Sequence, residues 1–160
     1  MSKFIAICFL LGFLGGIVFA RGMGENNAEA EAAALEELLA LTTASLDEWY
    51  GESDPTTFAQ GFADKATYFD PWTGGRLEDG AIKEYLMPFK GQVPKLDYEI
   101  PDARVDLYGE TALFTFVCNA IDPENGAVTP WNVIEVFIRT KDGWKRVHAN
   151  WNYMNAVPVS

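Results

Sequence analysis

The stretch KLDYEIPDARVDL, residues 95–107, shifts the phase of its apolar residues at a proline. Before Pro101 the apolar residues occupy even positions and after it odd positions, the two sets being Leu96, Tyr98 and Ile100 and then Ala103, Val105 and Leu107. Such alternation is typical of a β-strand with one buried face. A slip of one residue at a proline indicates a β-bulge, and bulges bend sheets. The stretch therefore predicts a curved β-sheet.

Three more strands are predicted after this stretch, over residues 111–121, 128–140 and 144–153. The turns between the last three, DPENG and KDG, are short and rich in Gly, Asp and Asn. Strands joined by such short turns pair antiparallel. The second half of the chain is thus predicted to form an antiparallel meander.

Helices are predicted before the meander. Residues 29–50 are rich in Ala, Glu and Leu, with apolar residues at helical spacing, and predict one long amphipathic helix. A second, short helix is expected from Asp54 to Phe62, and a third after Asp79. The order predicts an α+β domain in which the long helix crosses the concave side of the bent sheet. Such a sheet closes into a cone whose mouth is a natural pocket.

The N-terminus is expected to be a secretory signal, residues 1–20. Its uncharged run, residues 4–20, follows one lysine and ends in VFA, which suits a signal peptidase. A membrane anchor is the alternative, because a run of this length could just cross a bilayer. Residues 21–28 are expected to be a disordered leader and residues 29–157 a single domain. The mature protein would then be secreted or periplasmic.

Charge and composition exclude several partners. The chain carries 12 Lys and Arg against 23 Asp and Glu, a net charge of −11. Nucleic acids and anionic membranes both attract basic surfaces, so neither is expected as a partner of the mature chain. Cleavage of the signal would leave Cys118 as the one cysteine, which allows no internal disulfide. With one histidine and no calcium-loop motif, neither a metal site nor a cofactor is expected.

Three stretches of the chain resemble a known superfamily. They are YFDPWTGGRLEDGAIKEYL at residues 68–86, IEVFIRTKDGW at residues 134–144, and the final strand from Trp144 to Trp151. Together with the helix order they are similar to the nuclear transport factor 2-like superfamily, above all its SnoaL-like branch and the association domain of calcium/calmodulin-dependent kinase. The resemblance covers residues 31–155 and implies a cystatin-like fold whose last strand lines the pocket. The sequence departs from many relatives at Asn150, where they carry a second histidine.

The last strand carries the candidate catalytic histidine. Alternation places His148 and Asn150 on one face and Val147, Ala149 and Trp151 on the other. The polar face is expected to line the cone, and the apolar face, on the convex side, to form a homodimer. Imidazole titrates near neutral pH, so His148 could transfer protons or hold an anionic group. The alternative is a structural histidine that is paired and silent.

Two carboxylates in apolar surroundings are the other catalytic candidates. Counting outward from the KDG turn puts Glu135 near cross-strand register with His148, so both are predicted to face the cone and a common ligand. A desolvated acid there could act as a general acid or base. The alternative for Glu135 is a buried ion pair with Arg104 or Arg139. Asp70 precedes a proline and a Gly-Gly turn, so it is expected either to cap that turn or to join the site.

The ligand-binding candidates are aromatic and polar residues expected to converge on the cone: Tyr68, Trp72, Tyr85, Arg104, Trp131 and Asn150. Their chemistry suits a small, partly apolar molecule with one or two polar ends. Two functions stay open. The first is a secreted SnoaL-like domain that binds a small molecule. The second is a cofactor-independent isomerase, cyclase or dehydratase that uses the pocket carboxylate and histidine as acid and base.

Overall fold

The computed structural model describes residues 27–154. The predicted signal segment at residues 1–20 lies outside the described residues, as do most of the predicted leader and residues 155–157 of the predicted domain. Within the described part of the chain, no helix is both long and apolar enough to cross a membrane.

The long N-terminal helix, α1, spans residues 27–46 and continues in a π-helical turn, Asp47–Glu52. Its buried side chains recur every three or four residues and form one stripe: Ala34, Leu38, Thr42, Ser45 and Leu46. Two shorter helices follow, α2 over Thr56–Gln60 and α3 over Gly80–Leu86, the latter running into a 3₁₀ turn, Met87–Phe89. The helix predicted to reach Phe62 therefore ends two residues earlier.

Six strands form one sheet: β1 over Phe62–Phe69, β2 over Leu77–Glu78, β3 over Asp97–Tyr108, β4 over Thr111–Ile121, β5 over Val128–Thr140 and β6 over Gly143–Tyr153. Their order across the sheet is β2-β1-β6-β5-β4-β3. Neighbouring strands pair antiparallel, except that β1 and β6 are parallel. The α+β architecture and the antiparallel meander of β3 to β6 are confirmed.

Helix α1 is held against the sheet by polar contacts along its length. The backbone N–H of Leu107 in β3 donates to Glu31 near the start of α1. The indole N–H of Trp144 in β6 donates to Glu37 at 2.7 Å, and the hydroxyl of Tyr98 in β3 donates to Asp47 at 2.6 Å. The buried stripe of α1 and the inward side chains of the sheet enclose the core between them.

Two bulges shape the antiparallel meander of β3 to β6, and only one of them is predicted from the sequence. The register between β3 and β4 shifts between Glu99 and Asp102, which confirms the bulge expected at the proline of β3. The second lies in β6, where Val136 pairs with His148 and Phe137 pairs with Arg146. Val147 is therefore the extra residue, and the alternation of β6 changes phase at this point.

The faces predicted for the last strand are wrong beyond this bulge. Ala149 and Trp151 were expected on a convex dimer face with Val147, but both are buried on the concave side, as is Arg146. His148 and Asn150 were expected to line the cone, but the phase change turns them to the convex side. The physical reason is that a bulge of one residue exchanges the two faces of everything after it.

Candidate functional site

A cavity of about 660 Å³ opens between one end of the sheet, the end of α1 and the chain around α3. Ten of its nineteen lining residues are Trp, Tyr or Phe. β5 and β6 contribute Trp131, Trp151 and Tyr153, and the end of β1 contributes Tyr68. Cavities of this size, mostly apolar with a few polar groups, are typical of small-molecule sites.

The carboxylate of Asp70 lies at the polar end of this cavity. Its Oδ1 accepts the backbone N–H groups of Trp72 at 2.7 Å and Thr73 at 3.0 Å. Its Oδ2 accepts the hydroxyl of Tyr68 at 3.0 Å, and the hydroxyl of Tyr85 lies 3.2 and 3.1 Å from the two oxygens. Four donors thus converge on a group with about four lone-pair sites. Asp70 both caps the turn after β1 and faces the cavity, so its two predicted roles coexist.

Asp70 sets the electrostatics of the cavity. It is the one charged side chain among the described lining residues. Burial, then the charge of Asp70 and its hydrogen bond, raise the pKa of Tyr68 well above its ordinary value and that of Tyr85 to about 12. Burial and then the same charge raise the pKa of Tyr153. The phenols therefore stay protonated near neutral pH, and those of Tyr68 and Tyr85 are already engaged as donors to the carboxylate.

Three aromatic rings that line the same cavity as Asp70 form what we call the aromatic corner: Trp72, Trp131 and Tyr153. The ring centroids of Trp131 and Tyr153 are 4.1 Å apart, and that of Trp72 lies 5.3 Å from Tyr153 at an interplanar angle of 89°. Trp72 also lies 5.7 Å from Trp131 and is 62% exposed, which places it at the mouth of the cavity.

The profile of the SnoaL-like domain family matches residues 39–152, most of the chain. The chain belongs to the SnoaL-like family. No curated protein matches it.

Solved structures share the fold of this SnoaL-like domain. A ketosteroid isomerase-like protein from Parabacteroides distasonis superposes with a TM-score of 0.63 at 24% identity, over 79% of this chain and 90% of that one. The association domain of calcium/calmodulin-dependent protein kinase II from C. elegans gives 0.62 at 19% identity, over 77% and 98%. A nuclear transport factor 2-like protein from Pseudomonas putida gives 0.64 at 15%, over 79% and 91%. A further solved structure that matches the chain is described as having a cystatin-like fold. At these identities the similarity establishes the fold and leaves the activity open.

Glu135 lies behind the cavity in a buried ion pair of the SnoaL-like domain. Its Oε2 is 2.9 Å from Nε of Arg146, at ion-pair distance although the N–H is not aligned as a hydrogen-bond donor. Oε1 accepts the indole N–H of Trp151 at 3.3 Å, and the guanidinium lies over the ring of Phe58 at 4.4 Å. Burial raises the pKa of Glu135, opposed by the charge of Arg146. Glu135 thus supports Trp151, which lines the cavity, without lining it itself.

The partners predicted for Glu135 are wrong. Arg104 lies on the outer side of β3 and pairs with Asp106, with most of its side chain exposed, so it does not reach the cavity. Arg139 pairs with Glu37 of α1. The bulge in β6 brings a different arginine to the concave side, and that residue neutralises the buried carboxylate.

The predicted pairing of His148 with Glu135 is also wrong. Glu135 stands opposite Ala149 in register, and His148 faces the convex side next to β1. Its Nδ1 lies 2.7 Å from the hydroxyl of Thr67, and its ring meets that of Phe69 at 6.0 Å. Burial lowers the pKa of His148, which favours a neutral ring. The histidine is a paired group outside the cavity, as the structural alternative described.

Five of the predicted residues do converge on the cavity: Tyr68, Asp70, Trp72, Tyr85 and Trp131. Asn150 does not, because it follows the bulge and accepts a hydrogen bond from Asn152 on the convex side. Trp151 was assigned to the wrong face, and Tyr50 and Phe58 were not predicted. Tyr50 lies in the π-helical turn after α1 and Phe58 belongs to α2, so only the packing of the helices on the sheet brings them here.

Metal chemistry has no candidate ligand set among residues 27–154. No group of three or more His, Cys, Asp and Glu side chains in that range is placed to hold a metal ion. Cys118 is buried in β4, where burial raises the pKa of its thiol to about 12. It is a protonated, buried thiol near neutral pH.

Proposed function

We propose that this SnoaL-like domain binds a small, partly apolar molecule in its aromatic cavity, with the polar end of the ligand toward Asp70. The observation that carries the proposal is the cavity itself, about 660 Å³ lined by ten aromatic side chains and one carboxylate. Aromatic walls bury apolar ligand surface, and one fixed charge orients the ligand within them.

Acid–base catalysis is the second candidate. A carboxylate that shares its cavity with two phenols, Tyr68 and Tyr85, has the groups needed for proton transfer beside a carbonyl, and the ketosteroid isomerase-like neighbour supports that reaction type. The hydrogen bonds favour binding instead. Four donors already occupy Asp70, so little lone-pair capacity is left to abstract a proton.

Binding can be tested with a neutral, environment-sensitive naphthalene dye. Saturable binding with a blue-shifted emission is expected. Thr129→Trp should weaken it by about tenfold, or ~1.4 kcal/mol, because Thr129 is an exposed residue at the rim of the cavity and a tryptophan there would cover the opening. Lys141→Trp, in the β5–β6 turn at the other end of the sheet, is the matched control. No saturable binding, or equal loss in both variants, would sink the proposal.

Self-association through the convex face is part of the same proposal. Ile134 of β5 is 43% exposed there, and Val136, Ile138, Leu113 and Val117 flank it on the outward side of β5 and β4. An apolar sheet face of this kind is normally covered. Neighbours described as kinase association domains support a second copy of the chain as the cover.

Export remains a proposal that rests on residues 1–20. A mature chain that begins at Arg21 and reaches the periplasm or the medium is expected. Mass spectrometry of the protein purified from its native host tests this cleavage. A mass that includes residues 1–20 would contradict it.

A further inference from the structure

The cavity holds a negative charge with no cation to balance it. Among the described residues that line it, Asp70 is charged and none is Lys, Arg or His. The nearest buried cation, Arg146, is already paired with Glu135 behind the cavity wall. A carboxylate at the end of an apolar cavity attracts a positive group more strongly than it would in water. The chain's net charge of −11 adds to that attraction.

The hydrogen bonds that Asp70 already accepts limit which class of organic cation can bind beside it. Two backbone N–H groups and the hydroxyls of Tyr68 and Tyr85 use its acceptor sites, so the carboxylate offers charge but few free lone pairs. A primary ammonium brings three N–H donors that need acceptors, and burying them unpaired is costly. A quaternary ammonium has no N–H to satisfy.

The aromatic corner supplies a surface of aromatic rings that can contact a quaternary ammonium ion. Trp72 follows Asp70 by two residues, and its backbone N–H donates to the carboxylate, while its ring packs against those of Trp131 and Tyr153. Tyr153 of the corner lines the same cavity as Asp70, and its ring centroid lies 5.3 Å from that of Trp72. Rings within about 6 Å of a cation stabilise it through their quadrupoles, and groups of such rings bind quaternary ammonium ions.

Building on the proposed function, we propose that the cavity binds an organic quaternary ammonium, with the cation between Asp70 and the aromatic corner and the apolar remainder of the ligand along the inner aromatic wall. The charge comes from Asp70 and the cation–π surface from Trp72, Trp131 and Tyr153. The small number of free acceptor sites at the carboxylate sets the preference for a cation without N–H groups.

The test compares four probes that share a benzyl group on the unaltered protein: benzyltrimethylammonium, benzylammonium, benzyl alcohol and phenylacetate. Isothermal titration calorimetry should give the tightest binding for benzyltrimethylammonium, about tenfold over benzyl alcohol, with phenylacetate weakest. Equal affinity for the quaternary ion and the alcohol, or tighter binding of benzylammonium, would overturn the inference. If the alcohol or the naphthalene dye binds but the quaternary ion does not, the proposed pocket stands and only this inference fails. If neither the benzyl probes nor the naphthalene dye binds, both fail.

Two variants locate the cation. Trp72→Leu should weaken benzyltrimethylammonium by roughly threefold to tenfold and benzyl alcohol much less, because it removes a ring of the corner. Trp72 is largely exposed, so the fold tolerates the change. Asp70→Asn should abolish the preference for the quaternary ion over the alcohol. Asp102→Asn, an exposed site on β3, changes the net charge equally and should leave the preference intact. An unchanged preference in Trp72→Leu contradicts the placement even if Asp70→Asn fails to fold.

A quaternary ammonium could be a free molecule or a lipid headgroup. Titration with choline and sedimentation with phosphatidylcholine vesicles distinguish the two sources. Binding to either supports the site, and binding to neither, together with no preference among the benzyl probes, contradicts it.

Discussion

Replacing Arg146 with methionine should cost this domain about 4 kcal/mol of unfolding free energy. The side chain of Arg146 is 2% exposed and that of its partner Glu135 is 0% exposed. Methionine fills much of the same volume but leaves the carboxylate buried without a cation. Breaking a buried pair by removing one partner typically costs 3–5 kcal/mol. The same substitution removes the 3.3 Å hydrogen bond from the guanidinium to the carbonyl of Phe58, and its loss is part of that cost.

A double variant separates charge from packing. Glu135→Gln combined with Arg146→Met removes the stranded charge and keeps an oxygen for the indole N–H of Trp151. It should recover about 2 kcal/mol of the loss, since a neutral amide is far easier to bury than a carboxylate. Arg104→Met is the surface control. Arg104 pairs with Asp106 in the open, so its loss should cost less than about 1 kcal/mol.

The assay is urea unfolding followed by tryptophan fluorescence, repeated across pH. Burial already raises the pKa of Glu135 above its ordinary 4.5, and removal of the arginine raises it further. A group whose pKa is raised by folding stabilises the protein fully below the unfolded value, and this contribution disappears as pH rises through the folded value. Arg146→Met should therefore approach the stability of the double variant near pH 4 and fall below it as pH rises. A loss no larger than that of Arg104→Met, or a double variant no more stable than the single one at neutral pH, would refute the reasoning.

Four further outcomes are expected. A hydrogen bond from Lys90 lowers the pKa of Asp54 from 3.8 to about 2, so the stability that this ion pair contributes should be lost as pH falls from about 4 to 2. In an acid titration followed by circular dichroism, Lys90→Met should remove the loss of stability in that pH range. Gly61→Ala should destabilise by about 1–3 kcal/mol in urea unfolding, because its Cβ would lie 3.0 Å from a nitrogen of the buried arginine and 3.3 Å from a backbone carbonyl. Ile134→Asp should convert the proposed dimer into a monomer by light scattering, whereas a monomeric wild type at micromolar concentration contradicts self-association. His148→Asn should change the affinity for the naphthalene dye by no more than about twofold, and a larger loss would contradict the placement of His148 outside the cavity.

Much of the fold follows from local pattern. Alternating apolar residues, short Gly-containing turns and the helical stripe at residues 29–50 are local features, and each predicts its element directly. The bulge at Pro101 is also visible, because a proline interrupts the alternation where its phase shifts. Asp70 and its neighbours were found for the same reason. Tyr68, Asp70 and Trp72 lie so close in sequence that one turn positions them together.

Tertiary structure alone decided which side of β6 faces the cavity. In this strand Lys145 and Arg146 stand together between Trp144 and the alternating Val147, Ala149 and Trp151, but no proline or glycine marks Val147 as the extra residue. The bulge arises where β6 pairs with β1, whose own register shifts between Phe62 and Thr67, and where the backbone N–H of Arg146 donates to Gly61. That pairing joins segments more than eighty residues apart. The pairing of β6 with β1 turns Arg146 to the concave side and His148 to the convex side, because one extra residue in a strand exchanges its two faces. Only this long-range pairing determines which residue is the extra one.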